Sequence, residues 1–358
     1  MDKLYKLFFS FFTLVYLCSL TIDGVVIRQI LTVLFFIISL CVFLTYRVKF
    51  SAAHIAYIVL LVILFSLMSV FSPNPDWKLK ILFIFSGVAF LAVSYALYII
   101  NYNKYFLHFF IFIVGIISIR LFFNQNENLI FFQASRNIVA TYIIFPVIAC
   151  FFVTRQKSFF MFLALISLFM CFLLKGRTAI ILSSILVCVA IYRCYGLKVL
   201  LLTGLCFAPL VLIINIGMIF EKFTANTNFS EGLETTRSII YAEYFSDFNL
   251  QDFFIGRNFD SMPIITLLNN NPHNSFILIH SLFGITPVLF LMAFFTYSIL
   301  VIKTLHGPLY AIVLALVPIK AMTDSVLFFN ILDIFYMLPI IMMLANEKYK
   351  IISNNNVM

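Results

Sequence analysis

Residues 269–287 read Asn269-Asn270-Asn271-Pro272-His273-Asn274-Ser275-Phe276-Ile277-Leu278-Ile279-His280-Ser281-Leu282-Phe283-Gly284-Ile285-Thr286-Pro287. A polar turn gives way here, with no linker, to an apolar run. The junction closes the one strongly polar stretch of the chain, residues 221–273, which holds Arg237, Arg257 and half of the fourteen acidic residues. On both sides the sequence is almost continuously apolar. Of 358 residues 64% are hydrophobic, 10% are charged and 46 are Phe, and the mean hydropathy is +1.11. A soluble domain carries about 25% charged residues, and no soluble fold hides this much apolar surface. The expected fold class is all-α, a polytopic membrane helical bundle. A transmembrane barrel is excluded, because its strands alternate apolar and polar residues whereas these runs are apolar all round.

A helix of about 20 apolar residues spans a bilayer. On that measure helices are predicted near 4–22, 25–45, 52–71, 79–99, 105–122, 138–153, 158–174, 178–195, 197–220, 274–302, 308–321 and 325–345. These twelve form a single integral membrane domain over residues 1–358. Its connections are short, apart from 123–137 and the large loop 221–273 between the ninth and tenth helices. The first run lacks a small-x-small cleavage site and reads as a helix, not a removed signal peptide. With both termini in the cytoplasm, every inner loop carries a cation, among them Lys3, Arg47, Lys104, Lys157, Arg193, Lys198 and Lys303, against only Asp2 and Glu347 as inner acids. That is the positive-inside pattern, and it places 221–273 on the periplasmic or extracellular face.

The seven cysteines lie in or beside apolar runs without a C-x-x-C pair, so they read as packing residues and no metal set is expected. No Walker-type or G-x-G-x-x-G motif occurs, which argues against ATP or a dinucleotide as a cofactor. The net charge of +9 is partly topogenic and partly informative. Arg120, Arg136, Lys175, Arg177, Arg237, Arg257 and Lys320 fall on the outer side, where sorting disfavours cations. Binding an anion is one use for them; snorkelling to lipid phosphates is the other.

Three constellations stand out. Lys175-Gly176-Arg177-Thr178 is a turn between helices at the outer face, where a helix start and a planar guanidinium both favour phosphate. Thr235-Thr236-Arg237-Ser238-Ile239-Ile240-Tyr241-Ala242-Glu243-Tyr244-Phe245 predicts a short amphipathic helix, with apolar residues at 239, 240, 244 and 245. Arg237 in its first turn breaks the dipole preference, which marks either function or a pair with Glu231, Glu234 or Glu243. Pro272-His273-Asn274-Ser275 opens the next span. A helix start destabilises imidazolium, so His273 is expected to stay neutral and able to accept a proton. His280, about two turns deeper, reads as a packed neutral histidine or a second polar group of the site.

His273-Asn274, nine residues, then Gly284-Ile285-Thr286-Pro287 is similar to the H-[NSQ]-x9-G-x-x-G signature of the O-antigen ligase and O-antigen polymerase superfamily of membrane glycosyltransferases. Pro287 stands where that signature has its last glycine. Arg177 after Gly176 resembles the family's arginine before a span, Arg237 its arginine early in the outer loop, and Arg136-Asn137 a further position before a span. Phe253-Phe254-Ile255-Gly256 resembles a loop element ending in glycine, with Arg257-Asn258 replacing its usual continuation. The resemblance covers roughly residues 130–345.

The resemblance implies a metal-independent, cofactor-free transferase of the bacterial inner membrane. Its partners would be an undecaprenyl-diphosphate-linked oligosaccharide donor, a sugar acceptor, membrane lipids and a chain-length regulator protein, with no nucleic acid. It implies His273, Arg237 and Arg177 as catalytic residues and Lys175, Arg136, Asn274 and Arg257 as substrate-binding ones. A polymerase joining repeat units is the favoured member. A ligase transferring glycan to lipid A–core is the alternative, and a lipid-linked sugar flippase is third.

Overall fold

The computed structural model describes residues 1–48, 52–123, 126, 129–132, 134–154, 156–213, 236–268, 270–303, 307–325, 327 and 330–342, and among them every regular element is helical. Eight long helices come first: α1 (Asp2–Ser19), α2 (Val25–Thr45), α3 (Ala52–Phe71), α4 (Trp77–Ile99), α5 (Tyr105–Phe122), α6 (Arg136–Val153), α7 (Lys157–Leu173) and α8 (Arg177–Ile213). The polar stretch contributes α9 (Thr236–Phe245), α10 (Leu250–Ile255) and α11 (Pro263–Leu267). Then follow α12 (Ser275–Phe283), α13 (Thr286–Lys303), α14 (Gly307–Thr323) and α15 (Ile331–Met342). Among the described residues five helices are long and apolar enough to cross a membrane: Val25–Thr45, Trp77–Ile99, Tyr105–Phe122, Arg136–Val153 and Arg177–Gly204. Shorter apolar helices accompany them, and the chain has the make-up of a membrane protein.

Most helix ends fall where the apolar runs predict them. Gly196 (φ 82°) interrupts α8 at the expected break between 195 and 197. Two elements differ. The run expected to be one helix over 274–302 is two, α12 and α13, separated at Gly284 (φ 54°), because the backbone of Phe254 and Ile255 reaches it there. The last helix, expected from 325, begins at Ile331, where Asn330 and Asp333 form a reciprocal capping box. Residues 214–235 and 343–358 lie outside the described residues, and with them the end of the ninth expected helix and the first part of the large loop.

The helix α6 runs through the centre of the bundle: 72% of its apolar window is buried, against 17% for α8. It packs on α5, α7, α8 and α14. On the periphery Leu44, Leu60, Phe169, Ile181, Leu201 and Phe295 expose large apolar side chains, as lipid-facing surfaces do. Several buried hydroxyls are satisfied inside their own helices: Ser39 donates to Phe35 O, Ser94 to Phe90 O and Ser183 to Ala179 O. Pro146 and Pro318 sit inside α6 and α14, where neighbouring helices can re-satisfy the freed carbonyls.

One polar joint holds α12 in place from the side of α3 and α4. Lys80, almost wholly buried, donates to Ser69 O (2.7 Å) and Ser72 O (3.3 Å), closing the carbonyl end of α3, and its ammonium lies 4.7 Å from the Trp77 ring. Ser72 Oγ then donates to Ser281 O and Asn74 Nδ2 to Ser281 Oγ. The described part of the polar stretch folds over a small core of its own, Ile240, Tyr244, Phe259, Met262 and Ile265, which reaches Ile277 on α12.

Candidate functional site

The site is built at the start of α12. Asn274 is its N-cap, its Oδ1 accepting from the N–H groups of Phe276 (2.8 Å) and Ile277 (3.1 Å), which leaves Nδ2 to donate to the Tyr241 hydroxyl (3.1 Å). His273 precedes it with φ 49°, a left-handed conformation sparsely used by side-chain-bearing residues. That geometry is held by its N–H donating to Asn271 Oδ1 (3.0 Å), an atom that also accepts from Ser325 Oγ (2.9 Å). Ser275 Oγ donates to Asp324 O (2.7 Å) and accepts from Leu327 N–H (3.0 Å). The segment after α14 is thereby sewn to the mouth of α12.

Asp324 is the electrostatic centre. One carboxylate oxygen meets Arg237 Nη2 at 3.3 Å and the other meets Lys320 Nζ at 2.5 Å. Lys320 and Asp324 are buried, whereas the Arg237 side chain keeps 27% of its surface. Burial makes such a pairing close to obligatory, since an unpaired charge there carries a large desolvation penalty. Two cations around one carboxylate leave the group net positive.

Burial lowers the pKa of His273 below the ordinary 6.5; the Arg237 charge pushes the same way and the Asp324 charge opposes it. The imidazole is therefore neutral at pH 7, as expected, although the leading cause is burial and not the helix start. Both charges act on His273, so the histidine, Asp324 and Arg237 share one electrostatic neighbourhood.

The other sequence-predicted residues divide. The turn Leu174–Gly176 lies against the start of α6: a Cβ on Gly176 would stand 3.2 Å from Asn137 Oδ1. This brings Arg136, Lys175 and Arg177, all half-buried, to one place, with Lys175 at φ 54°. The helix α14, which carries Lys320, packs on α6 and α8, the helices that begin at Arg136 and Arg177. Arg257 is engaged within the loop, where Nη1 donates to Tyr244 O (2.5 Å) and Ser246 O (2.7 Å) and Nε faces Asp252 at 3.7 Å.

Arg237 does not take the described alternative partner Glu243, whose carboxylate instead accepts the N–H groups of Ile264 and Ile265 at the start of α11. Glu231 and Glu234 lie outside the described residues. The buried face of α9 also differs from expectation: Ile240 and Tyr244 are buried, whereas Ile239 and Phe245 are about half exposed.

Sequence reasoning passed over Asp324 and Tyr241. Lys320 and Asp324 at i, i+4 across the end of an apolar run were the available signal. Lys320, read as an outer cation for an anion, is instead spent on Asp324. Tyr241 carries no sequence mark, and its hydroxyl donates to Met322 O at 2.6 Å.

Deeper in the bundle an apolar cavity of about 540 Å³ lies between α3, α4, α12, α13 and α15, lined by Phe65, Val88, Ile279, Pro287, Phe290 and Met337 among others. Thr286, Asp333 and Tyr336 bring polar groups to its wall, and the Thr286 hydroxyl has no hydrogen-bond partner there.

No family model matches the chain, and neither a curated protein nor a solved structure matches it. Fold and site together define an all-helical membrane protein with a net-positive, partly buried polar centre beside a neutral histidine.

Proposed function

We propose that this chain is an inner-membrane glycosyltransferase, a polymerase that joins undecaprenyl-diphosphate-linked repeat units at the outer face. In this reading the bundle has twelve spans, both termini are cytoplasmic, and residues 221–273 are a periplasmic or extracellular loop over the site. The observation that carries it is the half-buried, neutral His273 sharing one neighbourhood with the Arg237–Asp324–Lys320 group. A proton acceptor beside a net cation suits a reaction in which a hydroxyl is deprotonated while an anion departs. The apolar cavity is compatible with a lipid-borne substrate.

In the proposed step the acceptor sugar hydroxyl oxygen forms a bond to the anomeric carbon of the donor, and that carbon's bond to the diphosphate oxygen breaks. The hydroxyl proton passes to the His273 imidazole, and the electron pair leaves with the lipid diphosphate. Arg237 and Arg177 offset the charge that grows on the diphosphate, with Lys175 and Arg136 adding to the local potential. A guanidinium carries five N–H donors, so Arg237 can hold Asp324 and still face a phosphate. One displacement inverts the anomeric carbon.

The test is in cells deleted for the gene. Wild type restores long glycan chains, whereas His273→Ala or Arg177→Ala, present in the membrane at normal level, leaves lipid A–core with a single repeat unit. Bare core in the deletion strain would instead identify the ligase, and wild-type chains from either variant would remove that residue from the mechanism.

A further inference from the structure

The polar grip between the outer loop and the bundle follows one stripe of α9. Arg237, Tyr241 and Tyr244 stand at i, i+4 and i+7, on one helix face. Arg237 reaches Asp324, Tyr241 reaches Met322 O and Asn274, and the buried Tyr244 reaches His280. The last contact differs from the others because His280 holds two loop helices at once. Its Nδ1 lies 2.6 Å from the Tyr244 hydroxyl on α9, and its Nε2 lies 3.1 Å from Phe253 O on α10. A carbonyl only accepts, so Nε2 carries the proton and the neutral Nδ1 accepts from Tyr244.

The surrounding backbone is shaped for this joint. Gly256 (φ 85°) and Gly284 (φ 54°) each occupy the left-handed region, and a Cβ on either would overlap backbone: His280 O for Gly256, Phe254 O for Gly284. Ile285 N–H donates to Phe254 O (3.1 Å), and Arg257 ties Tyr244 O and Ser246 O from the far side. The element Phe253–Gly256 is thus seated directly on α12, around His280.

We infer that His280 is the positioning residue of the site, clamping the loop helices α9 and α10 to α12 so that Arg237 is held in register with His273. This rests on the glycosyl-transfer reading for its catalytic consequence, but the clamp itself is a statement about the loop. His280 touches no substrate in this account; it acts through Tyr244 and the α9 stripe.

The experiment uses the full-length protein in detergent, with hydrogen exchange over residues 236–268 and chain extension from a lipid-linked repeat unit measured in parallel. Tyr244→Phe deletes one hydroxyl and keeps the ring, and His280→Leu deletes both contacts. Both are expected to speed exchange in α9 and α10 and to lower kcat by about 100-fold, the cost of roughly 1 Å of misplacement, with little change in donor KM. His280→Gln, which can donate to Phe253 O and accept from Tyr244, is expected to restore most of both. The double variant should lose no more than His280→Leu alone. Wild-type exchange in Tyr244→Phe and His280→Leu would overturn the clamp. Accelerated exchange without any wild-type extension activity would instead overturn the glycosyltransferase reading and leave the clamp standing.

Discussion

Asp324 and Arg237 meet at 3.3 Å across 87 residues of sequence, one at the end of α14 and the other in the first turn of α9. The contact joins the polar loop to the helix bundle and sets a cation in the neighbourhood of His273. The second carboxylate oxygen is held by Lys320, which is wholly buried. Removing the carboxylate therefore strands a buried ammonium.

Asp324→Ala is accordingly expected to cost about 3–5 kcal/mol, the range for breaking one side of a buried pair. Lys320→Met in the same chain should return part of that loss, because the stranded charge is gone. Thermal unfolding of the purified single and double variants checks this. Equal loss in Asp324→Ala and the double variant would mean that Lys320 is not stabilised by Asp324.

The electrostatics of His273 give a pH prediction with a definite sign. Its pKa is depressed mainly by burial, so the neutral form is favoured in the folded protein. The unfolded chain then binds more protons in the window below 6.5. Stability from this residue is present above that value and is lost as pH falls through the folded pKa. Activity should follow the neutral form and decline on the acid side. Removing Arg237 takes away a charge that lowers the pKa, and removing Asp324 takes away one that raises it. The acid limb should move to higher pH in Arg237→Gln and to lower pH in Asp324→Asn, as read from pH–rate profiles of whatever activity remains.

Gly256 and Gly284 yield a steric prediction. Both have positive φ, and at both a methyl group meets backbone atoms that no rotamer change can move. Gly284→Ala and Gly256→Ala should each destabilise by at least about 1–3 kcal/mol, the usual cost of strained backbone, and should open the loop to protease. Gly115, where a Cβ meets nothing within 4 Å, is the control, and Gly115→Ala should be tolerated. Limited proteolysis and melting temperature together decide it.

Arg257 gives a prediction that separates loop structure from substrate contact. Its guanidinium donates to two loop carbonyls and faces Asp252. Arg257→Ala should raise protease sensitivity between residues 246 and 258. Loss of donor affinity with an intact loop would instead support a direct contact of Arg257 with the substrate.

Much of the fold was legible because the apolar runs are long and their interruptions polar: α2, α3 and α5 begin and end where hydropathy puts them. The break at Gly284 was not, since it is imposed by Phe254, which approaches from a distant loop. The candidate site was legible at Arg237, which breaks a local rule in a helix's first turn, and at His273, which stands at a helix start. Tyr241 escaped because its partners Met322 and Asn274 lie far off in sequence. Asp324 escaped because Arg237 lies 87 residues away and its near partner Lys320 reads in the sequence as a cation for an external anion. The loop contacts of Arg257, to the Tyr244 and Ser246 carbonyls and to Asp252, were not legible because those groups come together only when the loop is folded.

The most direct test is extension of an undecaprenyl-diphosphate-linked repeat unit by the purified protein in detergent, without ATP. The account predicts a ladder of longer lipid-linked chains, with one undecaprenyl diphosphate released per bond formed, and no ladder from His273→Ala. Absence of extension by the folded wild-type protein, or an undiminished ladder from His273→Ala, would contradict it.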